Sequence, residues 1–247
     1  MIKKPKRETN MKYSEKYDVR WHDTDAKRQI RPSELLVYMQ ETSNHHVSSI
    51  GMPLDTLRDE KKLAFILSKI RIEIYRRLEA YESIKVETWT CPSRGFSSNR
   101  CFSISCGGKV VAVADTVWAL VGTEDRKFHK IDETDYAFDD EAPLDIGIPS
   151  RIRFPSDIEL ERLGERRIVY SDLDYNMHMN NTRYPDMLCD FMDIEEVPNI
   201  KGMTLSYLHE AAYGDTITVY SARRDNELFF RTFNQRQEVC LEALIVF

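Results

Sequence analysis

Five residues that could do chemistry crowd into eight positions. Asp174, Asn176, His178, Asn180 and Asn181 all lie in SDLDYNMHMNNTRY, residues 171–184. A carboxylate, a histidine that titrates near neutral pH and carboxamides able to donate to a carbonyl oxygen are the parts of a site that activates water by general-base catalysis. A turn joining an apolar strand to an apolar helix needs only one or two such groups. Further on, in LSYLHEAAYGD, Glu210 follows an apolar strand segment. A carboxylate there is costly to bury unless it is used or paired. Taken alone, the asparagines read more readily as turn and cap residues than as catalytic ones, and His178 as an ordinary surface or core histidine.

Comparing the chain with itself separates these readings. YDVRWHDTDAKRQIRPSELLVYM (17–39) lies without gaps on the segment around SDLDYNMHMNN at an offset of 149, so Asp23 meets Asp172 and Asp25 meets Asp174. IEIYRRLEAYESIKVETW lies on TLSYLHEAAYGDTITVYS at an offset of 132, and KVVAVADTVW on EVCLEALIVF at 129. Three registers in the same order indicate an internal duplication. Structural need is shared by both copies, whereas chemistry can be kept by one. Asp174 recurs and so fits a turn role. Asn176, His178 and Glu210 do not recur, because the first copy has Lys27, Gln29 and Leu78 there.

Each half reads as strand, polar turn, one long helix, then several strands. In the first half, Pro32 and Ser33 suit a helix start, and Leu35, Leu36, Met39, Val47 and Ile50 form an apolar stripe ending before Gly51. In the second, Asn181 or Thr182 can cap a helix with Tyr184, Met187, Leu188 and Phe191 inward and Pro185 in its first turn. The β-branched and aromatic segments AFILSKIRIEIY, SIKVETWT, NRCFSIS and VVAVADTVWALV, and later TITVYS, ELFFRTFN and EVCLEALIVF, predict antiparallel strands. The expected class is α+β: a tandem double hot-dog, each half a long helix wrapped by an antiparallel sheet of about five strands, the two sheets pairing into one.

DLDYNMHMNNTRY resembles the D-x-N-x-H-x-N-N motif of the acyl-acyl carrier protein thioesterases, double hot-dog enzymes of plant plastids and of bacteria. LSYLHEAAYGD resembles their second motif, and VRWHDTD with its helix also fits, so the likeness spans about Tyr17 to Phe247. The resemblance implies hydrolysis of long- or medium-chain acyl-acyl carrier protein in fatty acid biosynthesis, with Asp174, Asn176, His178 and Glu210 catalytic. Glu210 and His178 would activate water, Asn176 would hold geometry or the carbonyl oxygen, and the helix start near Asn181 would face the oxyanion. Asp174 would either orient the turn or attack the thioester itself. Where plant members carry a cysteine after the glutamate, this chain has Ala211, so a cysteine nucleophile does not transfer.

The resemblance also sets the division of labour. Residues 1–13 are a basic tail (Lys3, Lys4, Lys6, Arg7), 14–122 a first repeat that holds the acyl chain and has a degenerate site, 123–163 an acidic connector, and 164–247 the catalytic repeat. Substrate contacts are expected from Asn180 and Asn181 and, in the tunnel, from Leu35 and Met39. Acyl carrier proteins are acidic, so docking needs a local basic surface. Arg151, Arg153, Arg166, Arg167, Arg223 and Arg224 are candidates for it. Hydrolysis of acyl-CoA, a non-catalytic acyl-binding hot-dog protein and, last, a structural scaffold are the competing readings.

Composition excludes other classes. A net charge of −6 with mixed signs lacks the basic face of a nucleic-acid binder. No apolar run approaches the roughly 18 residues of a membrane span, and no hydrophobic segment follows the basic start, so a bacterial cytoplasmic enzyme is expected. Five cysteines without C-x-x-C spacing predict reduced thiols rather than a disulfide framework or zinc site. His22 with Asp23 and Asp25, or His45 beside His46, lack a third metal ligand at useful spacing, so no metal or cofactor is expected, and a homodimer is left open.

Overall fold

The structure, a computed structural model, describes residues 12–51, 53–131 and 141–247. The basic tail up to Met11 and the middle of the connector lie outside the described residues. The first half runs β1 (Tyr13–Asp18), α1 (Pro32–Ser49), α2 (Leu54–Asp59), β2 (Leu63–Ile74), β3 (Ser83–Arg94), β4 (Ser97–Cys106), β5 (Lys109–Gly122) and β6 (Phe128–His129). The second runs β7 (Glu161–Arg167), α3 (Tyr184–Cys189), β8 (Gly202–Tyr207), β9 (Thr216–Arg224), β10 (Glu227–Phe233) and β11 (Val239–Val246).

All the strands join one antiparallel sheet in the order β1-β3-β4-β5-β2-β8-β11-β10-β9-β7, with β6 on β5. The duplication is therefore one of topology as well as sequence. β2 and β8 occupy equivalent central places and pair across the join, Lys69 with Ser206 through Glu73 with Gly202. That pairing satisfies the open edge each half would otherwise present. One continuous core follows: Leu35, Leu36 and Met39 of α1 and Tyr184, Met187 and Leu188 of α3 belong to the same buried cluster.

Two features of the join position the site. β2 extends beyond the end of β8, because residues 63–67 pair only with β5. A bulge at Ser68 breaks the β2–β5 register just there, which re-aims the side chains that follow. The overhanging end of β2 thus faces open space where β8 has turned away, with the Leu208 N–H bonded to the Cys240 carbonyl.

The helices differ from expectation. α1 forms as predicted, with Pro32 in its first turn and Gly51 at φ +79° beyond its end. In the second half a 3-10 turn (Asn181–Arg183) leads into α3, which has six residues and no more. The N–H groups of Phe191 and Met192 reach back three residues to Leu188 and Cys189, tightening the chain out of the α-helix. Asp193 then accepts the Glu195 N–H in a side-chain turn, and Phe191 packs on the core from outside any helix. α2, which buries Leu57, was not expected at all. No helix among the described residues is long and apolar enough to cross a membrane.

Candidate active site

The two polar turns share one backbone. In each copy the first aspartate closes a 3-10 turn: Asp23 accepts the Arg20 N–H at 2.9 Å and Asp172 the Val169 N–H at 3.0 Å. The second aspartate organises the loop. Asp25 Oδ1 takes the N–H of Lys27 at 2.9 Å and of Gln29 at 3.0 Å, and Asp174 Oδ1 takes that of Asn176 at 2.8 Å and of His178 at 3.2 Å. Arg28 (φ +65°) and Met177 (φ +66°) hold the same left-handed position. Neither side chain favours that conformation, so sequence does not announce it. The recurring aspartates build the turn, and what differs between copies is the side chains it displays.

In the second copy the turn is laced to the loop after β8. Met179 donates its N–H to the Ala211 carbonyl at 2.8 Å, and Tyr213 donates to the Met177 carbonyl at 3.0 Å. These bonds bring His178 Nε2 within 3.4 Å of Glu210 Oε2, their side chains 27% and 50% exposed. Glu210 stands in the open rather than partly buried. Asn176 Nδ2 lies 3.4 Å from Asp174 Oδ2, so Asp174 commits one oxygen to the backbone and directs the other to the carboxamide. Asn180, not Asn181 or Thr182, is the cap: its Oδ1 accepts from the Thr182 N–H at 3.0 Å and hydroxyl at 2.9 Å. The Thr182 N–H is thus spent on the cap and the Arg183 N–H on the Asn180 carbonyl, and a 3-10 turn rather than an α-helix starts at Asn181. Asn181 holds Tyr207 through its carbonyl at 2.9 Å.

The corresponding place in the first copy is filled. Leu78, at the position of Glu210, is core. Arg77, whose side chain is 6% exposed, reaches Asp25 Oδ2 at 3.3 Å and donates to the carbonyls of Val197 at 2.9 Å and Ile30. Lys27 meets Glu195 at 2.7 Å. The retained turn of the first copy has become a clamp on the second half.

A cavity of about 370 Å³ opens beside His178 and Glu210. The second half contributes Asp174, Asn176, His178 and Asn181, and the first half Val47, Leu57, Phe65, Leu67 and Trp118 from α1, α2, β2 and β5. The expected tunnel residues are placed otherwise: Leu35 is core, and Met39 lines a separate void of about 20 Å³. Apart from Val47, the apolar wall comes from α2, the overhang of β2 and Trp118 of β5, which the stripe on α1 does not reveal. Neither thiol near the second-half core suits a nucleophile, since burial pushes Cys189 up to about 12 and Cys240 up to about 11.

In the cavity wall, buried Arg100 donates from Nη1 to His46 Nδ1 at 2.9 Å and to Thr88 Oγ1 at 3.1 Å. Burial first and the Arg100 charge second hold His46 down to about 4. A histidine with its folded pKa depressed loses stability as pH falls, because the unfolded chain takes up a proton near pH 6.5 that the folded one refuses until about pH 4. Between those values His46 is expected to cost roughly 3 kcal/mol in all. Urea unfolding from about pH 7.5 to about pH 4.5 should show this acid limb shrink by that amount in His46→Asn. An unchanged limb contradicts it.

Of the basic residues considered for docking, Arg166 pairs with Asp172 and Asp190, Arg223 with Glu196 and Arg224 with Asp157. Arg151, Arg153 and Arg167 are exposed. Arg58 of α2 lies at the cavity with its guanidinium 4.6 Å from the Tyr175 ring centroid.

A tandem hot-dog sheet with a polar, carboxylate–histidine turn at a cavity between its halves defines the class. The models of the acyl-ACP thioesterase N-terminal and C-terminal domains match residues 10–137 and 157–241, and the chain belongs to the acyl-ACP thioesterase family. It is 23% identical over 233 residues to oleoyl-acyl carrier protein thioesterase 1, chloroplastic, of Arabidopsis thaliana, covering 85% of this chain and 63% of that protein. With the chloroplastic oleoyl-acyl carrier protein thioesterase of Coriandrum sativum it shares 24% over 234 residues, 85% of this chain and 62% of the relative. The chain thus spans under two thirds of those relatives' length. Among solved structures, an acyl-ACP thioesterase from Bacteroides thetaiotaomicron superposes with a TM-score of 0.84 at 23% identity, covering 96% of this chain and 97% of that one. The 12:0-ACP thioesterase from Umbellularia californica gives 0.78 at 16%, with the same coverage. These likenesses establish the double hot-dog fold.

Proposed function

We propose that this protein hydrolyses the thioester of acyl-acyl carrier protein, releasing a long- or medium-chain fatty acid and the carrier thiol in fatty acid biosynthesis. The observation that carries the reading is His178 Nε2 standing 3.4 Å from Glu210 Oε2 at the mouth of the cavity. A water held between this pair and the thioester carbonyl loses its proton to the pair, and the hydroxide oxygen bonds to the carbonyl carbon. The C–S bond then breaks, and the departing thiolate takes the proton back. In this reading Asn176 donates to the carbonyl oxygen, a role supported by Asp174, which holds Asn176 and His178 through its two oxygens.

In this reading the second repeat carries the chemistry and the first holds the acyl chain against Val47, Leu57, Phe65 and Leu67. The acidic carrier would dock on exposed cations, among which Arg58 at the mouth is best placed. The free cysteines fit a reducing, cytoplasmic setting. The test is kcat/KM on carrier-protein and CoA thioesters of the same acyl group, over graded chain lengths and unsaturation. We expect the carrier form to lead by about tenfold or more, the equivalent of about 1.4 kcal/mol. Equal or reversed values favour an acyl-CoA hydrolase, and no turnover with saturable binding favours a non-catalytic acyl binder.

A further inference from the structure

The cavity is less apolar than a hydrocarbon chain requires. On α1 the residues facing it are Gln40, Ser43, Asn44 and Val47, spaced three or four apart and so on one face of the helix. Three of the four are polar, although the adjoining face of the same helix carries Leu36 and Met39 into the core. Ser98 and Arg100 of β4 line the same cavity. Ser43, Ser98 and Arg100 are 8%, 6% and 4% exposed, far deeper than His178 and Glu210. The side chains of Gln40, Ser43, Asn44 and Ser98 make no hydrogen bond to another described residue, so their polar atoms are left to whatever fills the cavity.

A saturated chain pushed against these groups would displace their water and leave donors and acceptors unpaired, which costs binding free energy. A chain bearing oxygen would pair them. Carrier and pantetheine arrive from the solvent side of His178, so the buried side receives the acyl part. Resting on the thioesterase reading above, we propose that Gln40, Ser43, Asn44, Ser98 and Arg100 form a polar acyl subsite that selects chains carrying a hydroxyl or oxo group on their distal half. Arg100, anchored by His46 and Thr88, is the one charged side chain of this stripe, the member least able to move aside and its strongest specificity determinant.

The experiment compares kcat/KM on saturated acyl-carrier-protein thioesters of graded length with the same chains carrying a terminal hydroxyl. At one length at least the hydroxyacyl form is expected to lead its parent by tenfold or more. Ser98→Ala and Ser43→Ala should each lower that ratio severalfold, and Arg100→Met should bring it near one. Ser98→Ala keeps the test sound where Arg100→Met fails to fold. Parent chains equal or better at every length overturn the proposal. So does a fall for all chains alike in the variants, which would mean that the stripe reads the pantetheine amides. Thermal shift by 12-hydroxydodecanoate against dodecanoate reads the same preference without turnover. An inert protein that still prefers the hydroxy acid keeps this subsite and loses only the hydrolase reading.

Discussion

Replacing His178 or Glu210 by alanine is expected to lower kcat on the best acyl-carrier-protein substrate by about 100-fold or more, the scale of a lost general base. The expectation rests on their shared geometry: the two side chains meet at 3.4 Å at the mouth of the cavity. Because Glu210 is exposed and His178 only part-buried, neither substitution should move the melting temperature by more than roughly two degrees. The double variant should be little worse than either single one, since groups that act as a unit do not contribute additively. Near-normal turnover in Glu210→Ala would remove that carboxylate from the site, and a large fall in stability would mean that the loss of rate reports misfolding.

The second large effect separates two aspartates that hold the same turn. Asp25→Ala is expected to cost about 3 kcal/mol of stability, the scale of a buried ion pair broken on one side. It strands Arg77, a cation whose side chain is only 6% exposed, without its carboxylate. The clamp on Val197 weakens with it. Burial already lowers the Arg77 pKa, which marks how poorly that charge is solvated. Changing Arg77 to Met in the same chain should recover part of the loss, since replacing both partners of a buried pair costs less than removing one. Asp174→Ala has the opposite signature: its partners are the Asn176 and His178 N–H groups and the Asn176 carboxamide. It should lower kcat as far as His178→Ala does and lose less stability than Asp25→Ala. Urea unfolding and rates on both variants decide the matter; equal stability losses contradict this division.

Much of the architecture was legible because the chain contains its own control. One offset aligns Asp25 with Asp174 and another aligns Leu78 with Glu210. The matching hydrogen bonds and φ angles of the two turns repeat the first alignment in space. Alternation and β-branched content located the long strands to within a few residues. What stayed hidden depended on tertiary contact. The apolar stripe after Asn181 continues to Phe191 whether or not the backbone stays helical, so it overstated α3. Leu35 and Met39 share a stripe with no label for core against cavity, and the true wall needed the unequal lengths of β2 and β8. Charge on Arg166, Arg223 and Arg224 was visible, whereas their carboxylate partners were not. Asp190, Glu196 and Asp157 stand 24, 27 and 67 positions from them along the chain, and only folding closes those separations.

The most direct test of the central claim, that the His178–Glu210 pair sends water to the thioester carbonyl while Asp174 only positions the turn, is a single turnover of acyl-carrier protein in ¹⁸O water. Mass spectrometry of both products then locates the incorporated oxygen. Direct attack by water predicts one ¹⁸O in the released fatty acid and none in the peptide containing Asp174. Label in the Asp174 carboxylate would contradict the account, because it requires an acyl-aspartyl anhydride opened by water at the aspartyl carbon.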